Sequence, residues 1–204
     1  MIVVVEGISA SGKTTWCRKH ASGFTIPETG RRDDAPNATL NAEAAARFWV
    51  EQGEHRWQAA RVIERARGVA VCDTDPIKLH YIWSLRRIGA VAERAWQAEH
   101  IATRDAIVDG RIGFADAYLV KPIEPWRARQ QRNADKTRSR RNFDLHVKLL
   151  EPLTRWYEAL EAVLPDAVIW NLPDTGLGSL SNRGNRSAEI PVQIFDDMIA
   201  LLPP

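Results

Sequence analysis

Gly7-Ile8-Ser9-Ala10-Ser11-Gly12-Lys13-Thr14 satisfies the pattern GxxxxGK[ST] in full, directly after the apolar run Ile2 to Glu6 and at the start of a helix-like segment. No other feature of the sequence restricts its fold so tightly. Glycines let such a loop close round phosphate oxygens, its backbone N–H groups point inward, and the helix that follows adds the positive end of its dipole. Lys13 then reaches the β- and γ-phosphates of ATP as a point charge, and Thr14 offers a hydroxyl to Mg²⁺. Gly7, Ser9, Ala10, Ser11, Gly12, Lys13, Thr14 and Thr15 are the candidate nucleotide-binding residues. The bland alternative is a Gly-rich strand-to-helix turn with an exposed lysine, and the complete match in its proper context argues against it.

Four more short β-branched runs, at 24–28, 69–73, 117–121 and 167–171, recur between longer helix-like segments and read as strands buried on both faces of a parallel sheet. The segment 41–68 is rich in Ala, Arg, Glu and Gln and ends at Gly68; a second runs from Pro76 to about Val108 with a break near Gly89. A third, 142–164, opens on Asn142 as an N-cap and carries Pro152 as a kink. Alternating strands and helices imply right-handed crossovers and a three-layer α/β/α fold. The Gly-, Ser- and Asn-rich stretch 174–187 predicts a mobile surface loop.

With 204 residues, 45% of them apolar, the expectation is one domain spanning 1–204. A formal charge of +2 does not by itself announce a nucleic acid or membrane partner. Cys17 and Cys72 lie far apart without metal-ligand spacing, which argues against a disulfide framework or structural zinc. Glu6 interrupts the apolar start, no basic segment precedes it and no run reaches membrane-spanning length, so a cytoplasmic protein is expected.

Two strand ends carry acids. Asp73 closes 69–73 as a Walker B aspartate would, at the edge where open α/β sheets bind ligands, and is a candidate for Mg²⁺ or for the acceptor hydroxyl. Asp75 precedes Pro76 and also reads as a helix N-cap. Glu28 closes 24–28 and stands where it can hold an attacking hydroxyl or take its proton, with Arg31 or Arg32 beside it for a polar acceptor. A solvated loop of mixed charge is the alternative there.

The run 121–144 holds Arg127, Arg129, Arg132, Lys136, Arg138, Arg140 and Arg141. It predicts a mobile lid at about 125–141, with Arg127 and Arg132 as candidates to neutralise charge on the transferring group. A nucleic-acid patch and a solvated charge run compete with that reading; the low net charge favours the lid. Most of the eight tryptophans, Trp49, Trp57 and Trp156 among them, lie within helical patterns and read as core. Trp83 is the candidate for stacking on an acceptor ring, and His80 is at most cleft-lining.

The residues 3–21, with the glutamate directly before the first glycine, resemble the amino terminus of the thymidylate kinase and deoxynucleoside kinase group. "IPETGRR" is similar to the acceptor-facing segment in that group and in nicotinamide riboside kinases, "VCDTDPIKLHYIW" to their third strand and following helix, and "WRARQQR" stands where they carry an Arg-rich lid. The resemblance covers roughly the first two-thirds of the chain. It implies a five-stranded parallel sheet in 2-3-1-4-5 order and ATP-dependent transfer, with Mg²⁺, to a small acceptor that it does not fix; a nucleoside-like or nucleotide acceptor is the first choice. Asp73 is followed by Thr74 where thymidylate kinases have arginine, and Arg-Glu-Pro is absent, which points away from a strict thymidylate kinase. An antibiotic or other secondary-metabolite hydroxyl is the second choice of acceptor, and a nucleic-acid-associated ATPase the rival class. The expected partner is a small molecule; nucleic acid and membrane are not expected, and a homodimer is admissible.

Overall fold

The computed structural model describes residues 1–30, 32–134, 142–180 and 191–203. Its centre is a five-stranded, all-parallel sheet in the order β2-β3-β1-β4-β5, formed by β1 (Ile2–Glu6), β2 (Thr25–Ile26), β3 (Ala70–Asp73), β4 (Ala117–Val120) and β5 (Val168–Trp170). Val5 stands level with Asp73, and Glu6 with Val120, so the carboxyl ends of β1, β3 and β4 open together on one edge.

The strand period of two distributes the buried side chains of β1 between two cores. Ile2 and Val4 join Ala70, Cys72, Tyr118 and Val120 beneath α2 (Ala42–Arg67), α3 (Leu79–Arg87), α4 (Glu93–Val108), α7 (Leu150–Val163) and α8 (Val192–Leu201). Val3 and Val5 join Val71, Ala117 and Leu119 beneath α1 (Lys13–His20) and the 3₁₀ turn Gly176–Leu180. The three-layer arrangement expected from alternation is therefore present. Trp57 and Trp156 are buried as expected. Cys17 and Cys72 are free and buried, and burial pushes both thiols up to about 12.

Several boundaries differ from the sequence expectation, each for a local reason. β2 stops at Ile26 because Pro27 has no N–H to continue the ladder. α2 ends as expected at Gly68, which turns left-handed with φ 79°, and its start is capped by Asn41, which accepts from the N–H of Ala44 at 2.9 Å. The second helical region divides at Gly89, φ 70°, into α3 and α4, and α3 begins at Leu79 rather than Pro76. Pro152 does not kink a long helix; α6 (Phe143–Lys148) ends at Leu149, and Pro152 falls in the first turn of α7, where a missing N–H costs nothing. Asn142 occupies the N-cap position of α6 without a side-chain capping bond. Within the segment read as a lid, 125–134 forms a helix, α5 (Pro125–Ala134); 135–141, with Lys136, Arg138, Arg140 and Arg141, lies outside the described residues. The supposed loop at 174–187 includes the 3₁₀ turn, whose Leu180 is 1% exposed, while 181–190 lie outside the described residues. Among the described residues, no helix is long and apolar enough to cross a membrane.

Gly53, inside α2, marks the tightest approach between that helix and the β3–α3 connection: a Cβ there would collide with the carbonyl oxygen of Pro76. Gly53→Ala should gain about 1 kcal/mol of helix propensity yet lose more to overpacking, for a net destabilisation of about 1–3 kcal/mol. Chemical denaturation tests this, and a more stable variant would contradict the close packing.

Candidate active site

The loop between β1 and α1 is built from backbone conformations that few residues adopt. Gly7 has φ 153°, and a Cβ on it would stand 2.8 Å from both the Lys121 carbonyl and the Ser11 hydroxyl. Ala10 and Gly12 follow at φ 68° and 94°. The first-turn N–H groups of α1 have no partner within the helix, and no side chain caps it at Gly12. Lys13 Nζ donates to the carbonyls of Gly7 and Ile8, so its ammonium hangs over the centre of the loop. Thr15 lies on the exposed side of α1.

Thr14 and Asp73 meet beside this loop. The Thr14 hydroxyl donates to Asp73 Oδ2 at 2.7 Å, while Asp73 Oδ1 is buried and, among the described residues, has no hydrogen-bond partner. Burial raises the Asp73 carboxyl, with the Thr14 bond and Lys13 acting the other way. A hydroxyl and a carboxylate with an uncommitted oxygen are hard donors of the kind Mg²⁺ takes, so the residues present fit that ion.

Glu28 occupies the junction of two hollows. One, with Thr14, Asp73 and Arg18, runs along α1; the other is a cleft of about 500 Å³ bounded by Gly7, Ile8, Ser9 and Lys13 on one side and α2, α3, α4 and α7 on the others. Glu28 and Gly30 line both. The cleft walls are mainly apolar, from Ala42, Ala45 and Ala46 across to Leu85 and Leu153, and Trp49 adds an aromatic face. Size and lining suit a small organic ligand. Glu28 is half-exposed and pairs with Lys78 Nζ at 2.9 Å. Burial alone would raise its pKa, but Lys78, followed by Lys13 and Arg56, brings it below the ordinary carboxylate value.

Beneath the loop lies a polar network with buried members. Glu6 accepts from the N–H groups of Gly7 at 2.8 Å and Asp75 at 3.1 Å, tying the phosphate loop to the end of β3. His80 Nε2 stands 3.3 Å from Glu6 Oε2, and its Nδ1 faces the Ile77 carbonyl at 3.1 Å. Both ring nitrogens thus meet acceptors, and a proton between Nε2 and Oε2 satisfies the pair. Burial lowers the His80 pKa and Glu6 opposes it. Asp75 is not the N-cap of α3. It accepts from Ile77 N–H at 2.9 Å and from the Tyr157 hydroxyl at 3.2 Å, and burial pushes it up to about 7.

Arg56 closes this network from α2. Its guanidinium donates to the carbonyls of Pro27, Asp73, Thr74 and Asp75 at 3.1, 2.9, 2.6 and 3.2 Å. The middle of that set is strained, since Thr74 is β-branched yet holds φ 80°. A buried cation that binds the carbonyls on both sides of Thr74 fixes this conformation, and with it the position of Asp73.

Other sequence-predicted residues stand elsewhere. Arg127 lies over the Trp126 ring at 6.0 Å and Arg132 over Phe143 at 5.2 Å; neither lines the cleft. Arg129 pairs with Asp144 at 3.8 Å on the surface. Arg32 pairs with Asp34 at 2.7 Å, away from the cleft, and Arg31 lies outside the described residues. Trp83 is not a stacking platform: it is 1% exposed and packs on Trp156. Trp49, read as core, lines the cleft instead, and His80 lines it as expected. Reasoning from sequence did not single out Arg56, Lys78 or Glu99 and gave Glu6 no role.

Glu99 is a buried acid of α4 on the cleft wall, 9% exposed, with a pKa pushed by burial up to about 8 while Lys78 pulls it down. The folded protein keeps a proton there that the unfolded chain gives up, so stability from this group is lost as pH climbs from about 4.5 to about 8. Glu99→Leu should flatten that decline, as read from denaturant midpoints across this range; an unaltered slope would contradict the assignment.

The sheet order, the loop and Asp73 at the end of β3 together define the architecture. Among solved structures, the chain is similar to a deoxyadenosine kinase from M. mycoides with bound dATP, with a TM-score of 0.51 and 9% identity over 98% of this chain and 97% of that one. The fold is that of a P-loop kinase. No family model and no curated protein sequence matches the chain.

Proposed function

We propose that this protein is an ATP-dependent phosphotransferase that moves a γ-phosphoryl group to a hydroxyl of a small, nucleoside-like acceptor. The observation that carries the reading is the junction at Glu28, where an apolar cleft suited to the acceptor meets the hollow that holds Thr14 and Asp73. Likeness to a fold solved with dATP in a deoxyadenosine kinase supports both the nucleotide and the kind of acceptor.

In this reading the loop N–H groups and Lys13 hold the β- and γ-phosphates, and charge neutralisation with alignment supplies most of the catalysis. Thr14 and Asp73 would hold Mg²⁺, which when bound neutralises phosphate charge. Glu28 receives the acceptor hydroxyl. Its lowered pKa suits orientation of that hydroxyl and late acceptance of its proton, and keeps it ionised at mildly acid pH. Arg127 and Arg132 have ring partners outside the cleft, so the transition-state charge is assigned to Lys13 first.

Glu28→Gln should lower kcat by about 10²-fold while leaving the melting temperature close to that of the parent, because the carboxylate is half-exposed. An undiminished kcat would remove Glu28 from the mechanism. The reading as a whole is tested by ADP release from ATP and Mg²⁺ against nucleosides, nucleotides, nicotinamide riboside and hydroxylated antibiotics, with RNA and DNA as a further arm. Release that depends on a small acceptor supports it. Release indifferent to all of these but raised by nucleic acid, with steep salt dependence, would replace it with a nucleic-acid-associated ATPase.

A further inference from the structure

The acids that line the cleft are accounted for by their neighbours, with one exception. Glu28 pairs with Lys78, and Glu6 accepts from two N–H groups and faces His80. Glu99 reaches the cleft from α4, is 9% exposed, and makes no hydrogen bond or ion pair among the described residues. On α3, Ser84 Oγ is also buried, lines the same cleft and has no hydrogen-bond partner among the described residues. The Trp49 ring forms part of the wall. Burial of a carboxyl without a partner is costly, and a fold keeps one where a ligand completes it. An aromatic face and a lone acid in one cleft make an environment that attracts a cation.

We propose that the acceptor is cationic, its charged nitrogen seated against Glu99 on the α4 wall while its hydroxyl lies at Glu28. This assignment rests on the phosphotransferase reading for the hydroxyl, and on the cleft alone for the charge. The cation compensates Glu99, its ring or alkyl body lies along Trp49 and the alanines of α2, and any N–H it carries also meets Ser84 Oγ. Lys13 is set aside for phosphate and Lys78 is held by Glu28, so neither opposes the charge unscreened. Because burial pushes Glu99 up to about 8, entry of a cation at neutral pH also displaces a proton.

The test uses near-isosteric probe pairs that differ in charge: 3-methylcytidine with 3-methyluridine, 1-methyladenosine with 1-methylinosine, and nicotinamide riboside with its neutral dihydro form. Binding is measured calorimetrically at neutral pH in two buffers of different ionisation enthalpy. The cationic member of at least one pair should bind about tenfold tighter or better, a difference readily resolved, with net release of a proton. Glu99→Gln, checked for cooperative unfolding, should bind the two members alike and release none. Equal affinities in the parent protein, no binding by any cation, or a preference that survives Glu99→Gln would overturn the assignment. Product analysis with ATP separates the two readings. A cation preference without phosphoryl transfer removes the kinase reading alone; transfer to neutral acceptors as readily as to cationic ones removes the charge assignment alone.

Discussion

Lys13→Ala is expected to reduce the rate of phosphoryl transfer by on the order of 10³-fold, the effect of removing a preorganised charge from a developing anion. The variant should fold as the parent does. Among the described residues, Lys13 is bonded only to the carbonyls of its own loop, Gly7 and Ile8, and both can turn to water when the ammonium is gone. Neither hydrophobic core includes it. Lys13→Arg should fail almost as completely, because a planar guanidinium does not reproduce a compact charge centred over a tight loop. Steady-state kinetics beside thermal melts read both halves of this expectation. Turnover within about threefold of the parent would mean that the loop does not grip a reacting phosphate.

Arg56→Met should be the most destabilising substitution near the site, by about 3–5 kcal/mol, the cost of breaking a buried charged network by removal of one partner. The methionine fills much of the volume but leaves the carbonyls of Pro27, Asp73, Thr74 and Asp75 without their donor. Thr74 is then free to leave its strained left-handed conformation, and Asp73 moves with it. Nucleotide affinity in the presence of Mg²⁺ should therefore fall further than affinity without it. Denaturant midpoints and nucleotide titrations measure the two effects; a loss below about 1 kcal/mol would show that the carbonyl cluster holds itself together.

Much of this was legible in the chain, and the parts that were not share a cause. The opening motif identified the loop, Lys13 and Thr14 because backbone geometry there permits few alternatives. Asp73, which ends β3, and Glu28, just beyond the end of β2, followed from the rule that ligands gather at the carboxyl edge of a parallel sheet. Arg56 and Glu99 escaped notice although each leaves a trace: Arg56 falls on the inward stripe of α2 with Ala46, Gly53, Trp57 and Ala60, and Glu99 on that of α4 with Ala95, Trp96, Thr103 and Ala106. A charge at helical spacing within an apolar stripe has either a buried partner or a ligand to meet, and only the tertiary contacts distinguish the two. Glu64, also inward on α2, meets the amino terminus at 2.6 Å, which is the structural outcome of the same pattern.

Trp83 and Trp49 were exchanged for a similar reason. Both stand in amphipathic helices, and which of them faces the cleft depends on how α3 and α2 rotate against the sheet. Trp83 turns inward onto Trp156, while the small residues of the first turns of α2 leave the space that Trp49 borders. Arg127 and Arg132 were legible as charge but not as position, since Arg132 reaches the Phe143 ring only through the placement of α5 against α6, while Arg127 stays over its chain neighbour Trp126.

The most direct test of the central claim is the mass of the acceptor after incubation with ATP, Mg²⁺ and either the parent protein or Lys13→Ala. The account predicts a gain of one phosphoryl group on an acceptor hydroxyl with the parent and none with the variant. ADP formed without any phosphorylated acceptor, or the same product from both proteins, would contradict it.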